Sequence, residues 1–383
     1  MCHGWILALF LAPAPLLEKA DLFTAGQDGY AIYRIPGIVV TAKGTVLAYC
    51  EARKSDRGDW GSIDIFLRRS EDGGKTWQPR AKIAAVEGPH RKNPVALAQD
   101  LARPDDVTYN NPVAIVDRKT RAVHFIFNIE YMRAFYMRSD DDGKTFSQPV
   151  EITSTFEKFR ADYDWKVLAT GPGHGIQLRS GRLIVPAWLS TGTGGHAHRP
   201  SVVSSIYSDD HGRTWRRGEI AIPNTEEWVN PSETVAVELA DGRVMFNARS
   251  ESKAHRRLVT YSKDGATGWS APQFHPELLE PICMASSMRL SARPRRILFA
   301  NPHNLARADG RETPGLNRDR RNLTVKLSND EGATWSVSRA LEPGPAGYSD
   351  LAVGRDGTIF CFYERGRQAL TLARFNLEWL SGR

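Results

Sequence analysis

SEDGGKTW at 70–77, SDDDGKTF at 139–146, SDDHGRTW at 208–215 and SNDEGATW at 328–335 are four copies of one octapeptide, S-x-D-x-G-x-T-W. A degenerate fifth copy, SKDGATGW, occupies 262–269. The D-x-G core is a turn: the Asp carboxylate accepts hydrogen bonds from the backbone that follows it, and Gly supplies positive φ. The closing Trp or Phe is an apolar plug. Such self-similarity at intervals of tens of residues marks a repeat architecture.

Strand patterns surround every copy. GIVVTAKGTVLAYC (37–50) reads as a hairpin, and IDIFLRRS (63–70) as a third strand running into the octapeptide. The same order recurs at 112–128 with 134–139, 175–188 with 203–208, 234–248 with 257–262, and 286–300 with 323–328. A sixth hairpin at 349–363 leads to a strand at 369–375, where the chain ends without an octapeptide. The mean repeat is about 62 residues, enough for three strands and a fourth. No segment before the C-terminus reads as a helix. Six such units predict an all-β, six-bladed β-propeller as one domain over 20–383, with ADLFT (20–24) supplying the last blade's outer strand.

Composition sets the outer limits. Of 383 residues, 41% are hydrophobic and 25% charged, which permits a large core and excludes wholesale disorder. Four Cys at irregular spacings neither make a disulfide scaffold nor match a zinc pattern. The net charge of +7 is carried by 38 Arg against 13 Lys. Tight basic clusters occur only at 293–296 and 318–321, without a basic tail or interleaved aromatics, so no nucleic-acid partner is expected. Arginine instead suits planar carboxylates. WILALFLA (5–12) is too short for a membrane span and fits the core of a signal peptide, so residues 1–19 are expected to be a leader and the protein exported without membrane insertion.

Strand direction divides the segments between two faces. All octapeptides follow third strands and share one face. The chain before each hairpin and the long second-to-third links meet at the other. There lie YRIPG (33–37), EARKSDRGDWGSID (51–64), NPSE (230–233), NARS (247–250), NRDRRNLTV (317–325) and GYSDL (347–351).

Over roughly 20–380 the chain resembles the exo-α-sialidase (neuraminidase) family. YRIP before the first strand, the repeated octapeptide (that family's Asp-box), a Glu sixteen residues before an Arg, and the terminal YSDL…FYE carry the resemblance. It implies the same propeller, a site at the mouth opposite the Asp-boxes, sialylated glycans as substrates, no metal, no cofactor and a monomer. The arginine triad of the family falls on Arg34, Arg249 and one of Arg320 and Arg321, with the spacing ahead of LTVKLS pointing to Arg320. Guanidinium groups bind carboxylates bidentately, and a sialic acid carries one on its anomeric carbon. Tyr348 matches the nucleophile and Glu233 the residue that takes its proton. A neutral phenol, unlike a carboxylate, is not repelled by the substrate's own charge. Asp59 of Asp56 and Asp59 matches the general acid/base. Arg53 matches a further arginine near the substrate carboxylate, and Glu364 an acidic residue orienting the triad.

Weaker features complete the reading. TGTGGHAH (191–198) reads as a Gly-rich lid whose His196 and His198 have a metal-compatible spacing. Asn110 and Asn111 reach an N-acyl group or shape a turn, and Cys50 and Cys361 are small core residues. A non-catalytic sialoglycan-binding propeller, a trans-sialidase and an Asp-box propeller with an unrelated ligand are the alternatives, since function resides in the site and not in the fold.

Overall fold

The computed structural model describes residues 14–307 and 319–382. The apolar run at 5–12 and residues 317–318 of the long link in blade 5 lie outside the described residues. Six sheets, antiparallel but for one short parallel pairing, form a ring, each running from an inner to an outer strand. Blade 1 comprises Ile32–Val40, Val46–Arg53, Ile63–Ser70 and Ala81–Lys82. Blade 4 comprises Thr234–Glu238, Val244–Ala248, Arg256–Ser262 and Gln273–Leu279, and blade 5 Ser286–Ser291, Arg296–Pro302, Arg321–Ser328 and Val337–Pro345. In blade 6, Ser349–Val353, Ile359–Arg365 and Ala369–Phe375 are joined by the N-terminal strand Leu17–Thr24, which closes the ring as expected. That strand begins at Leu17, so the leader expected over 1–19 overlaps the propeller by three residues.

Two local expectations are corrected. One-turn helices occur at Pro94–Ala98, Thr153–Glu157 and Leu377–Ser381, each too short to display an amphipathic period. The inner strand of blade 3 is broken: Val167–Thr170 and Ile176–Gln177 both pair with Leu183–Ser190. Between them, Gly173–His174 pairs in parallel with Val113–Ala114 of blade 2, near the ring axis. Gly173 has φ +90, and a Cβ there would meet Met284 Cε at 2.7 Å, so only glycine allows the crossing.

The octapeptides staple the blades as turn chemistry requires. In the first copy, Asp72 accepts from the Thr76 amide at 2.9 Å and from the Thr76 hydroxyl at 2.6 Å, while Ser70 Oγ accepts from the Gly74 amide at 2.8 Å. The repeat's glycine has a second role, which blade 2 illustrates. A Cβ on Gly143 (φ +74) would lie 2.7 Å from Leu47 Cδ1 of blade 1. The closing aromatics then fill the seams between neighbouring blades: Trp77 between blades 6 and 1, Phe146 between 1 and 2, Trp215 between 2 and 3, Trp269 between 3 and 4, and Trp335 between 4 and 5.

The sixth seam lacks an octapeptide, and Trp379 of the C-terminal helix fills it, packed with Leu298, Leu323, Leu351 and Phe375. Its carbonyl accepts from Arg339 Nη1, whose guanidinium also lies 4.7 Å from the indole centroid. Trp379→Ala is expected to cost about 3–5 kcal/mol, read from urea denaturation, because it empties a blade seam.

The octapeptide carboxylates also make stability pH-dependent. Burial alone would raise Asp141 and Asp210, but the hydrogen bonds from Thr145 and Thr214 bring both down to about 2. A lowered folded-state pKa contributes stability above the unfolded value of about 3.9, lost as pH falls through the folded value. The denaturation midpoint should therefore fall between pH ~4 and ~2, and Asp210→Asn should flatten that fall.

Candidate active site

At the mouth opposite the octapeptides lies a cup of about 310 Å³, lined among others by Arg34, Asp59, Glu233, Arg249, Arg320 and Tyr348. YRIPG presents the first arginine through a bulge: the ladder pairs Arg34 with Glu51 and resumes only at Gly37 with Tyr49. Ile35 takes φ +57, a strained conformation for a β-branched residue. Buried Glu364 holds that strain in place. It accepts from the Ile35 amide at 3.2 Å, from Arg34 Nε at 3.0 Å and Nη2 at 3.3 Å, and from the Tyr348 amide at 3.1 Å. One carboxylate thus contacts both an arginine and the backbone of Tyr348.

Glu233 and Arg249 meet because they flank the first hairpin of blade 4, where Thr234 pairs with Ala248. The Arg249 amide donates to the Glu233 carbonyl at 2.9 Å, and Arg249 Nη1 donates to Glu233 Oε2 at 2.6 Å. The same Nη1 donates to Tyr348 Oη at 2.9 Å, and the phenol donates to Glu233 Oε1. Arg34 and Arg320 stand 5.1 and 5.2 Å from the Tyr348 ring centroid. Burial and the Glu233 charge push the phenol's pKa far up, only partly opposed by Arg249, Arg320 and Arg34. The proton therefore leaves Tyr348 only if a base beside it takes it, and Glu233 is in place to do so.

The tandem arginines separate cleanly. Arg320 reaches the cup, held by the Ile282 carbonyl at 2.8 Å and by no carboxylate among the described residues. Arg321, the first residue of its strand, is exposed and pairs with Pro345, so it is not brought to the site. Arg320 precedes the strand that Arg321 begins, and adjacent residues of an extended chain point opposite ways, which is why only one of the two reaches the cup.

Asp59 is brought in and Asp56 is not: Asp56 is exposed and pairs with Arg367. Asp59 accepts from Arg53 Nη1 at 2.8 Å and lies 3.6 Å from Arg34 Nη1. Burial would raise its pKa, but Arg53 and Arg34 more than offset that and hold it well below the carboxylate range. Arg53, which the resemblance sets among the substrate-binding residues near the carboxylate, does not reach the cup. It is buried behind Asp59, absent from the cup's lining, and donates to Glu51 at 2.7 and 3.0 Å. From there its Nη1 holds the Asp59 carboxylate. Glu51 was missed although it stands in the same EAR segment; it also accepts from the Asn111 amide at 2.8 Å.

One wall of the cup is aromatic. His198 lies 5.0 Å from Tyr131, 5.2 Å from Trp188 and 6.0 Å from Trp60 between ring centroids. Burial brings its pKa down to about 4, so the ring is neutral near pH 7. The Gly-rich link is therefore anchored by His198 and not merely a rim. Tyr131 and Trp188 were not singled out in the sequence; their only signal is that they sit at mouth-side strand ends. Arg199 and Asn230 meet on Glu251 at the rim, at 2.8 and 2.9 Å. Asn111 lines the cup with φ +51, while the Asn110 amide group donates to the Asn111 side chain at 3.1 Å. Among the described residues no three His, Cys, Asp or Glu side chains cluster as a metal ion requires.

The molecule is thus a six-bladed propeller with an arginine-lined anion cup containing a buried Tyr–Glu pair and an acidic residue on its edge. A family model for a BNR repeat-like domain matches residues 98–361. A sialidase of Micromonospora viridifaciens is 31% identical over 399 residues, covering 96% of this chain and 55% of that protein. Sialidase-2 of Cricetulus griseus is 30% identical over 380 residues, covering 92% and 93%. Among solved structures, the Hadza microbial sialidase Hz136 superposes with a TM-score of 0.74 at 26% identity, covering 94% of this chain and 69% of that one. The chain belongs to the sialidase family of BNR-repeat propellers, and it spans little more than half the length of the Micromonospora relative.

Proposed function

We propose that this chain is an exo-α-sialidase that hydrolyses terminal α-linked sialic acids of glycoproteins, glycolipids and oligosaccharides with retention, through a tyrosyl-enzyme intermediate. The observation that carries the reading is the hydrogen bond from Tyr348 to Glu233 beneath Arg34, Arg249 and Arg320. The substrate carboxylate docks on the three guanidinium groups, which places the anomeric carbon over the phenol. Tyr348 Oη attacks that carbon while Glu233 takes the phenolic proton and Asp59 protonates the departing glycosidic oxygen. Asp59, then a carboxylate, removes a proton from water as it attacks the same carbon. Tyr348 leaves and recovers its proton from Glu233. Two inversions give net retention.

Charge balance favours this order. In the free site Asp59 is held ionised by Arg53 and Arg34. A substrate carboxylate on Arg34 offsets one of those cations, so the affinity of Asp59 for a proton rises when an acid is needed.

Release of the fluorophore from a fluorogenic α-sialoside, with NMR of the first sugar anomer formed, tests the proposal. α-Anomer first is the expected result; β-anomer first, or no turnover by folded protein, contradicts it. Arg320→Ala should lower kcat/KM by about 10–100-fold, the worth of charged hydrogen bonds. Arg321→Ala should leave it within about twofold, as ordinary surface substitutions do. Export and a monomeric state belong to the same proposal, tested by N-terminal sequencing of the secreted product and by light scattering.

A further inference from the structure

The central channel opens on the face of the octapeptide turns, away from the cup, as a cavity of about 390 Å³, a size typical of small-molecule sites. Its walls are inner-strand residues of several blades, and Val40, Val116, Ile176, Met288 and Val353 are only half-buried there. At its inner end the polar groups are already satisfied. His174 Nδ1 lies 2.7 Å from Asp350, which also accepts from Ser286 Oγ at 2.9 Å and from the Ile38 amide at 2.9 Å. Arg118 lines this channel and also an adjoining depression formed with Lys43, Arg121 and Arg355 from the turns of blades 1, 2 and 6.

Among the described residues none of these four cations is paired with an acid. Arg118 Nη2 is held only by the Gln177 carbonyl at 2.7 Å, and among the described residues no acid pairs with Lys43, Arg121 or Arg355. Other arginines on the same face do have acids: Arg179 pairs with Glu238, Arg243 with Asp241 and Arg289 with Glu331. Most of the chamber's lining is aliphatic, and the charged Glu238 and Arg289 in it are already paired with Arg179 and Glu331; such a chamber with an unpaired basic rim matches a ligand with one anionic end and one apolar end. A bare anion would leave the chamber unused, and a flat polyanion could not enter it.

We propose that this channel mouth binds a free single-chain anionic amphiphile of the fatty-acid class, its carboxylate among Lys43, Arg118, Arg121 and Arg355 and its hydrocarbon tail between the inner strands. The test is calorimetric titration of the whole protein with decanoate below its micelle concentration, beside 1-decanol and inorganic phosphate. One saturable decanoate site is expected, with decanol and phosphate at least about tenfold weaker. The Arg121→Ala/Arg355→Ala double variant, exposed at both positions, should weaken decanoate about tenfold or more at an unchanged melting temperature. Met288→Trp should block the chamber and weaken binding by a similar factor while leaving any sialoside turnover at the opposite mouth unchanged. Absence of a saturable decanoate site, equal affinity in the double variant, or phosphate binding as tight as decanoate would overturn the proposal. Binding, not turnover, is read, so its failure is distinct from failure of the sialidase reading.

Discussion

Replacing Tyr348 by Phe is expected to cut turnover of a fluorogenic α-sialoside at least about 10³-fold, since the residue proposed as nucleophile is removed rather than weakened. The fold should survive. The ring keeps its place between Arg34 and Arg320, and the backbone anchors on Glu364 do not involve the hydroxyl. What is lost is the hydrogen bond to Glu233 and the contact from Arg249. Glu233 keeps its bond from Arg249 Nη1 at 2.6 Å, so it is not left as an unpaired buried charge. Unchanged KM with collapsed kcat would place the loss in the chemical step. Turnover within a few-fold of the parent would mean that the phenol is not the nucleophile.

Asp59→Ala is the second large effect, and it depends on the leaving group. With a natural glycan, whose alkoxide leaves poorly, loss of the general acid should lower kcat by about 10²–10⁴-fold. With an aryl aglycone that departs without a proton, formation of the tyrosyl intermediate should persist, and attack by unactivated water should then limit the rate. Azide needs no base, so it should restore turnover of the aryl substrate and not of the glycan. Equal losses on both substrates with no response to azide would contradict the role of Asp59.

The architecture was legible because its signal is local and repeated. The octapeptide marks the end of the third strand in five of the six blades, and hairpins with short turns leave little freedom of register. Chain parity then separated the cup from the octapeptides without any contact information. The sixth seam was not legible: Trp379 does the work of a repeat aromatic from a one-turn helix that shares no motif with the others. Nor was the broken inner strand of blade 3, because its Gly173–His174 segment is held by a neighbouring blade and not by its own sheet.

The site divides along similar lines. Arg34, Glu233, Arg249, Tyr348 and Glu364 sit next to strand ends, where register dictates position, and all five meet. Of Arg320 and Arg321, the spacing ahead of LTVKLS points to Arg320, and that is the one that lines the cup. Sequence reveals the proximity of Arg53 to Asp59 and not its depth; burial against Glu51 sets it back from the cup.

The central claim, that Tyr348 becomes covalently bound to the sugar, is tested most directly by trapping. A sialic acid analogue with fluorine at the anomeric carbon and at its neighbour provides a good leaving group and slows the later hydrolysis by disfavouring positive charge at the reacting carbon. Mass spectrometry of peptides from protein treated with it should find one fluorosialyl group, on Tyr348. An adduct on Glu233 or Asp59, or rapid sialoside turnover with no adduct at all, would contradict the account.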